Sequence, residues 1–206
     1  MDIKEAWKRF WFLVWEDDSF KGWVISIVLI FLFIKFIFFP SLSLVTGTTI
    51  PLAIVESCSM YHQGNIFTNF DDWWESHEER YSLFNITKDD FENFRIYNGF
   101  NKGDILFITG TKPEKIEVGE IIIFSSDSGG NPIIHRVVGI TEANGKIAFS
   151  TMGDNNNGQL EVEKSISQSQ ILGKASIRAV PYLGWIKLVF YEPGRSFTER
   201  GLCNSN

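Results

Sequence analysis

The sequence predicts a mainly β domain of antiparallel strands that follows one N-terminal transmembrane helix and contains a short helical insertion. An apolar run at 22–40 has the length of a membrane span. After it, β-branched segments alternate with Gly, Pro and Asn, and an acidic, aromatic stretch at 65–98 carries helix-capping residues. We therefore divide the chain into 1–21, the span, and a domain at 41–206 that includes the insertion.

The span is rich in Phe, Ile and Leu on every side of a helix. Such a helix suits lipid better than a protein core, where a helix is usually apolar along one stripe. Its charged residue Lys35 lies in the last third and can reach the interface, and Pro40 is expected to end the helix. Because no Ala-x-Ala site follows, we expect a permanent anchor rather than a cleaved signal peptide.

Basic residues predict the orientation of the span. Those that precede it are Lys4, Lys8, Arg9 and Lys21. No Lys or Arg lies between Lys35 and Arg80, so the positive-inside rule places the N-terminus in the cytoplasm and the domain outside. Aromatic residues at 7–15 predict an interfacial segment. The sequence thus indicates a single-pass protein of the cell membrane with an extracytoplasmic domain.

The charge and the cysteines exclude two kinds of partner. A formal net charge of −6 argues against nucleic acid. Neither Cys58 and Cys203 nor the three histidines show the spacing of metal ligands, so no metal site is expected. An oxidising exterior would allow the cysteines to pair. Since one lies inside a motif and the other in a polar tail, we expect no disulfide.

Short strands account for most of the domain. The segments predicted as strands are 51–56, 103–109, 119–124, 132–140, 171–180 and 185–191. The insertion lies between the first two and is expected to form two short helices. One of them would start at a capping box made by Thr87 and Asp90.

A serine follows the first strand in the run Glu-Ser-Cys-Ser-Met-Tyr-His at 56–62. A nucleophilic serine needs a base and a third group that orients the base. Asn-Gly at 144–145 predicts a two-residue hairpin turn. Its register would place His135 opposite Asp154, with Cβ atoms about 4.5–5.5 Å apart. Ser59, His135 and Asp154 are therefore candidate catalytic residues, and the insertion is expected to shape or cover their site.

Five motifs occur in order along the domain. They are Ser-Cys-Ser-Met at 57–60, His-Arg-Val-Val at 135–138, Gly-Asp-Asn-Asn at 153–156, Ile-Leu-Gly-Lys at 171–174 and Pro-Tyr-Leu-Gly-Trp at 181–185. Through these motifs the chain resembles archaeal type I signal peptidases, which share a Ser/His arrangement with the catalytic subunit of the eukaryotic endoplasmic-reticulum complex. The resemblance implies an antiparallel β catalytic domain of signal-peptidase type outside the membrane.

The resemblance also implies a membrane-bound serine endopeptidase that removes signal peptides from secreted precursor proteins. Ser59 would be the nucleophile, His135 the general base and Asp154 the residue that holds the imidazole. Ser57 would support the oxyanion together with the Ser59 N–H. Precursor proteins and membrane lipid are the implied partners, and neither a metal nor an organic cofactor is implied.

Three positions depart from the family pattern. Cys58 stands where Gly is usual, Tyr61 follows the Ser-Met pair where Pro is often found, and Leu160 stands where relatives commonly carry a second Asp. The third catalytic residue therefore stays open between Asp154, Glu161 and Glu163.

Other assignments remain open as well. Alternative bases are His62, Lys102, Lys112 and Lys115. Asp104 is interpreted as a turn residue. Ile54, Val55 and the strand at 121–124 are expected to line shallow apolar pockets, because a signal peptide presents small residues at the end of an apolar run. The aromatic stretch at 182–191 would contact either lipid or the core.

A function of another class is also open. The chain would then be a membrane-anchored, non-catalytic module that uses the insertion as a binding surface.

Overall fold

The structure is a computed structural model that describes residues 2–63, 70–126 and 129–203. It divides into an N-terminal unit that ends at Val45 and a domain that begins at Thr46. The first residues of the predicted insertion, 65–69, lie outside the described residues.

The N-terminal unit contains two helical stretches. The first consists of α1 (Ile3–Trp11) and a π-helical turn (Phe12–Glu16). The second consists of α2 (Phe20–Phe33), a π-helical turn (Ile34–Phe38) and α3 (Phe39–Thr46). The Ser26 hydroxyl donates to the Val14 carbonyl at 2.9 Å, so the two stretches contact each other. Together α2 to α3 form a helix of 27 residues that is long and apolar enough to cross a membrane.

The prediction that Pro40 ends this helix is wrong. The helix continues to Thr46 because a π-helical turn precedes the proline, and there the Phe39 N–H bonds the Ile34 carbonyl. Pro40 then occupies the first turn of α3, where its missing N–H costs little.

The domain is mainly β, as predicted. Its strands are β1 (Leu52–Ile54), β2 (Ile105–Thr109), β3 (Ile121–Phe124), β4 (Ile133–Ala143), β5 (Lys146–Met152), β6 (Ile166–Ser167) and β7 (Ile171–Val180). They form one curled antiparallel sheet in the order β1-β2-β7-β3-β4-β5-β6. Short 3₁₀ turns lie at Pro113–Lys115, Glu161–Glu163, Gln168–Gln170, Glu192–Gly194 and Phe197–Glu199.

The central strand β3 separates two hydrophobic clusters. All four of its residues are buried. Ile121 and Ile123 pack in a cluster that includes Met60 beside the serine motif, and Ile122 packs with Phe149 in a second cluster. Because successive side chains of a strand point to opposite faces, β3 is covered on both sides. The apolar run at 121–124 therefore anchors the serine motif to the middle of the sheet.

The predicted strand at 185–191 is wrong, because this segment forms the short helix α7 (Trp185–Leu188). Leu188 is fully buried, and the Trp185 indole donates to the Lys102 carbonyl at 3.0 Å. These two side chains are three residues apart, which puts them on one face of a helix. Phe190 is 80% exposed and therefore is not a core residue.

The hairpin between β4 and β5 has the predicted turn but not the predicted register along its whole length. Asn144 and Gly145 have φ angles of 53° and 70°, as a type I′ turn requires. The expected pairing holds from the turn to Gly139, and a bulge then shifts it by one residue, so that Arg136 pairs with Met152. The predicted pairing of His135 with Asp154 is consequently wrong.

In its described residues, 70–98, the insertion has three short helices rather than two. They are α4 (Phe70–Glu75), α5 (Glu78–Ser82) and α6 (Lys88–Glu92), and α6 starts at the predicted capping box of Thr87 and Asp90. Trp73, Tyr81 and Phe91 pack with Val138 and Met152 of the β4–β5 hairpin. The insertion is thus part of the domain core.

Candidate active site

Ser59 and His135 line one cavity of the domain. The cavity has a volume of about 700 Å³, and Ser57 also lines it. Its apolar wall contains Ala53, Ile54, Val55, Phe100, Ile123 and Ile134. Of the residues expected to form apolar pockets, Ile54 and Val55 line it, and the strand at 121–124 contributes Ile123 alone. The described part of the insertion, 70–98, contributes none of the residues that line this cavity, so it does not cover the serine.

The segment that carries Ser59 is held by its backbone. The Asn155 N–H donates to the Ser59 carbonyl at 2.7 Å, and the Asn155 side chain donates to the Cys58 carbonyl at 3.1 Å. Met60 is buried, and its carbonyl accepts from the Phe100 N–H at 3.0 Å. These contacts leave the Ser59 side chain free to face the cavity, with its Oγ at 3.1 Å from the Ser57 Oγ.

His135 is buried on β4 and is oriented by Glu163. Its Nδ1 lies within hydrogen-bonding distance of Glu163 Oε1. The same carboxylate accepts from the Thr151 hydroxyl at 3.1 Å and from the Leu160 N–H at 2.8 Å, so it is fixed on three sides. A carboxylate can only accept a hydrogen bond, so Nδ1–H is the donor in this contact. Nε2 is then the basic nitrogen of the neutral ring.

Asp154 lies in a different cluster, where it contacts Arg136 instead of His135. Arg136 donates to its carboxylate twice, from Nε at 2.9 Å and from Nη2 at 2.6 Å. His62 Nε2 lies 2.9 Å from Asp154 Oδ2, and the Tyr81 hydroxyl donates to Oδ1 at 2.8 Å. Both the Arg136 and the Asp154 side chains are fully buried. Asp154 therefore has no contact that would orient the His135 ring.

Strand geometry explains why Asp154 does not contact both His135 and Arg136. His135 and Arg136 are consecutive in β4, so their side chains point to opposite faces of the sheet. With the register shifted by the bulge, Asp154 reaches the face of Arg136 and Glu163 reaches the face of His135. Of the alternatives left open by the sequence, the structure brings Glu163 to the imidazole, whereas the Glu161 side chain is exposed and pairs with Lys164.

The Gly-Asp-Asn motif thus has a packing explanation. A Cβ atom on Gly153 would lie 2.8 Å from the Ser59 carbonyl oxygen, which leaves no room for a side chain. Asp154 fixes the loop through Arg136, and Asn155 makes the two hydrogen bonds to the serine segment. Through these contacts the three residues together position the segment that carries Ser59.

The charges of the Asp154 cluster are well defined. Burial alone would raise the pKa of Asp154, but the Arg136 charge and the hydrogen bonds from His62 and Arg136 hold it well below its usual range. Burial lowers the pKa of His62 although Asp154 opposes this shift. Burial and the nearby Asp154 charge raise the pKa of Tyr81. The cluster therefore contains one carboxylate, one guanidinium, a neutral imidazole and a protonated phenol.

The other candidate bases do not line the serine cavity. His62 is buried and stacks on Trp73 with ring centroids 3.7 Å apart. Lys102 is buried and pairs with Glu192 at 2.7 Å. Lys112 and Lys115 are exposed, and none of these four residues lines the cavity. Asp104 accepts from two backbone N–H groups, those of Asn101 and Tyr182, which fits its interpretation as a turn residue.

Sequence reasoning missed three charged residues at the cavity. Glu56, Lys187 and Arg195 all line it. Arg195 Nη2 lies 2.8 Å from Glu56 Oε2, and Lys187 Nζ lies 3.1 Å from Glu56 Oε1. No spacing in the sequence links Glu56 to residues so far along the chain.

The expectation of two unpaired cysteines is wrong. Cys58 and Cys203 form a disulfide with a Cα–Cα distance of 5.5 Å. The tail returns to the serine motif after 145 residues, a proximity that only the tertiary fold creates. The even number of cysteines in a domain expected to lie outside the membrane was the available signal.

Comparison with known proteins finds similarity over part of the chain. The chain is 33% identical over 96 residues to the signal peptidase complex catalytic subunit SEC11C of Homo sapiens and of Mus musculus, and the match covers 44% of this chain and 50% of each relative. It is 32% identical over 98 residues to the signal peptidase complex catalytic subunit SEC11 of Colletotrichum graminicola, which covers 45% of this chain and 57% of that relative. Over the matched residues the chain is similar to these signal peptidase complex catalytic subunits. It spans about half the length of the relatives it matches, and no protein-family model matches it.

We predict that Asp154→Asn destabilises the domain. The substitution leaves the Arg136 charge buried without a counter-charge, which should lower the free energy of unfolding by about 3–5 kcal/mol. Urea unfolding followed by tryptophan fluorescence measures the change. Glu161→Gln is the matched control, because its exposed side chain should shift the value by no more than about 0.5 kcal/mol. Equal stability of the two variants would contradict the role given to the Asp154–Arg136 pair.

Stability should also fall as the pH is lowered from about 7 to 5. Burial, followed by the Arg80 charge, lowers the pKa of His77 to about 4, whereas an unfolded histidine titrates near ~6.5. In this pH window the unfolded chain therefore binds more protons than the folded chain, so acidification favours unfolding. His77→Phe keeps a ring against Trp73 and should make the decline shallower. An unchanged slope of unfolding free energy against pH would refute this assignment.

Proposed function

We propose that the chain is a membrane-bound serine endopeptidase that removes signal peptides from secreted precursor proteins. The observation that carries the proposal is the shared cavity of Ser59 and His135, with the His135 ring oriented by Glu163. The similarity to signal peptidase complex catalytic subunits supports the substrate class. A histidine in the place of the base supports the Ser/His type of the family, to which the archaeal enzymes belong.

The proposed mechanism uses these residues in turn. Ser59 Oγ attacks the scissile carbonyl, and His135 Nε2 takes up its proton. The Glu163 carboxylate holds Nδ1–H and stabilises the imidazolium that forms. His135 then returns the proton to the leaving amine, and a water molecule activated by the same ring hydrolyses the acyl-enzyme. Asp154 takes no part in these steps, because its carboxylate is hydrogen-bonded to Arg136.

The oxyanion would bind to two donors that belong to residues two positions apart in the chain. The Ser57 hydroxyl lies 3.1 Å from Ser59 Oγ, so it is close to the carbon that the nucleophile attacks. The Ser59 backbone N–H is the second donor. A donor of this kind contributes about 3–4 kcal/mol to transition-state stabilisation where one has been removed.

The cavity fits the small apolar residues at the end of a signal peptide. Ala53, Ile54 and Ile134 contribute to an apolar wall directly beside the serines. Aliphatic side chains bury small residues without offering hydrogen-bonding groups that a polar residue would need. The proposed substrate segment therefore enters with its small residues against this wall and its scissile carbonyl at Ser59.

The membrane is the second proposed partner. The long apolar helix ends at Thr46, and only 47–58 separate it from Ser59. In the domain, Ile186, Phe190 and Phe197 are 70%, 80% and 88% exposed. Exposed apolar groups of this size are typical of a surface that contacts lipid or protein. We propose that they rest on the outer face of the bilayer that the helix crosses.

Substitution of the two principal residues tests the activity. The purified full-length protein should cleave a secretory precursor, and Ser59→Ala or His135→Ala should reduce the rate roughly 10³-fold or more. Glu163→Gln should reduce kcat roughly 10²–10⁴-fold, while Glu161→Gln on the same short turn serves as the control. Cleavage by the Ser59→Ala variant at the wild-type rate would refute the mechanism. Failure of the wild-type protein to cleave any precursor would favour the non-catalytic alternative.

Site-directed labelling tests the proposed topology. Because both native cysteines are in the disulfide, single substitutions Lys4→Cys and Lys146→Cys provide unique thiols before the span and on the hairpin turn. In intact cells a membrane-impermeant maleimide should label the second variant and should label the first only after permeabilisation. The reverse pattern would show that the domain faces the cytoplasm.

A further inference from the structure

The tail of the domain contacts the nucleophile segment at the two residues that flank Ser57. We define the C-terminal clamp as residues 192–203. Its Arg195 donates from Nη1 to the Glu56 carbonyl at 2.9 Å and from Nη2 to the Glu56 carboxylate at 2.8 Å. Its Cys203 is bonded covalently to Cys58. The backbone on each side of Ser57 is thus tied to the clamp.

The clamp is itself fixed to the body of the domain. Lys102 is 1% exposed, and its Nζ lies 2.7 Å from Glu192 Oε1 and donates to the Glu199 carbonyl at 2.6 Å. Within the clamp, the Gly201 N–H donates to Glu192 Oε2 at 2.7 Å. A buried lysine that joins two turns of the tail makes the clamp a firm support for the disulfide.

Cys58 occupies the position that controls the geometry of the two serines. It stands between Ser57 and Ser59, so its backbone angles decide how the two hydroxyls are arranged, here with their oxygens 3.1 Å apart. Asn155 holds the Cys58 and Ser59 carbonyls on one side, and the disulfide holds the Cys58 side chain on the other. Loss of the disulfide would leave this residue with backbone contacts alone.

The disulfide is open to reagents through a second cavity. Cys203 lines a cavity of about 450 Å³ together with Tyr61, Lys102 and Trp185. None of the residues that line this cavity also lines the serine cavity. A small dithiol can therefore reach the sulfur atoms without occupying the site at which substrate would bind.

We propose that Cys203 is a positioning residue, which through its disulfide to Cys58 holds Ser57 and Ser59 in the arrangement needed for attack and for oxyanion binding. This proposal rests on the proposed peptidase function. It follows that the oxidised protein is the active form and that reduction lowers turnover. The extracytoplasmic location proposed above would keep the disulfide formed.

A dithiol such as dithiothreitol supplies the two electrons and two protons that reduction of the disulfide requires. One thiolate of the reagent attacks a sulfur of the disulfide, which breaks the S–S bond and forms a mixed disulfide. The second thiol of the reagent closes its own ring and releases the protein. Cys58 and Cys203 gain two electrons and two protons as free thiols, and the reagent becomes a cyclic disulfide.

The test compares kcat and KM for a precursor peptide in the full-length protein, with and without dithiothreitol. We expect reduction of the wild-type protein to lower kcat at least tenfold with little change in KM, and reoxidation to restore it. Cys203→Ser should show the low kcat from the start and should not respond to the reagent. The double variant Cys58→Ser/Cys203→Ser should be no worse than Cys203→Ser, since both lack the same bond.

A matched control separates positioning from general stability. Ile166→Val removes one buried methylene from a hydrophobic cluster that contains no residue of the clamp, so it should lower the melting temperature and leave kcat unchanged well below that temperature. If reduction of the wild-type protein lowers only the melting temperature, the positioning role is refuted. If the oxidised wild-type protein does not cleave at all, the proposed function fails instead, so the two failures are distinguishable.

Discussion

The buried pair of Arg136 and Asp154 is the interaction on which the rest of the site depends. Both side chains are removed from water, and such a pair is tolerated only when further hydrogen bonds satisfy its remaining atoms. Arg136 also donates to the Gly119 and Ile96 carbonyls, and Asp154 is bonded by His62 and Tyr81. The pair thereby joins the β4 strand, the insertion and the loop that supports the serine segment.

The insertion contributes to the fold by enclosing this charged pair. Arg136 lies 4.6 Å from the centre of the Phe91 ring, and the Tyr81 hydroxyl reaches Asp154 from the neighbouring helix. The aromatic residues of the insertion thus enclose the charges and keep water away from them, which strengthens the attraction between them. Asp154 then fixes the turn from which Asn155 holds the serine backbone. The insertion acts on the serine through this support.

Several features of the molecule were predictable from local patterns, and others depended on contacts distant in the chain. The serine motif, the buried β3 run and the Asn-Gly turn were readable because each is encoded by adjacent residues. The predicted register holds only without a bulge, and β4 contains one beside Gly139, a residue whose presence inside a strand is a known sign of a bulge. Because of this one-residue shift, His135 contacts Glu163 and not Asp154, the partner that was expected. The disulfide and the Arg195 contacts require the tail to return to the motif, which no local pattern encodes.

Glu163 holds the imidazole of His135, while Asp154 maintains the fold around it through Arg136. The most direct measurement is the ¹H–¹⁵N spectrum of the histidine side chains in the full-length protein. A slowly exchanging Nδ1–H signal of His135 should be present in the wild-type protein and in Glu161→Gln, and it should disappear or shift strongly in Glu163→Gln. A His135 signal that is unaffected by Glu163→Gln would contradict the account.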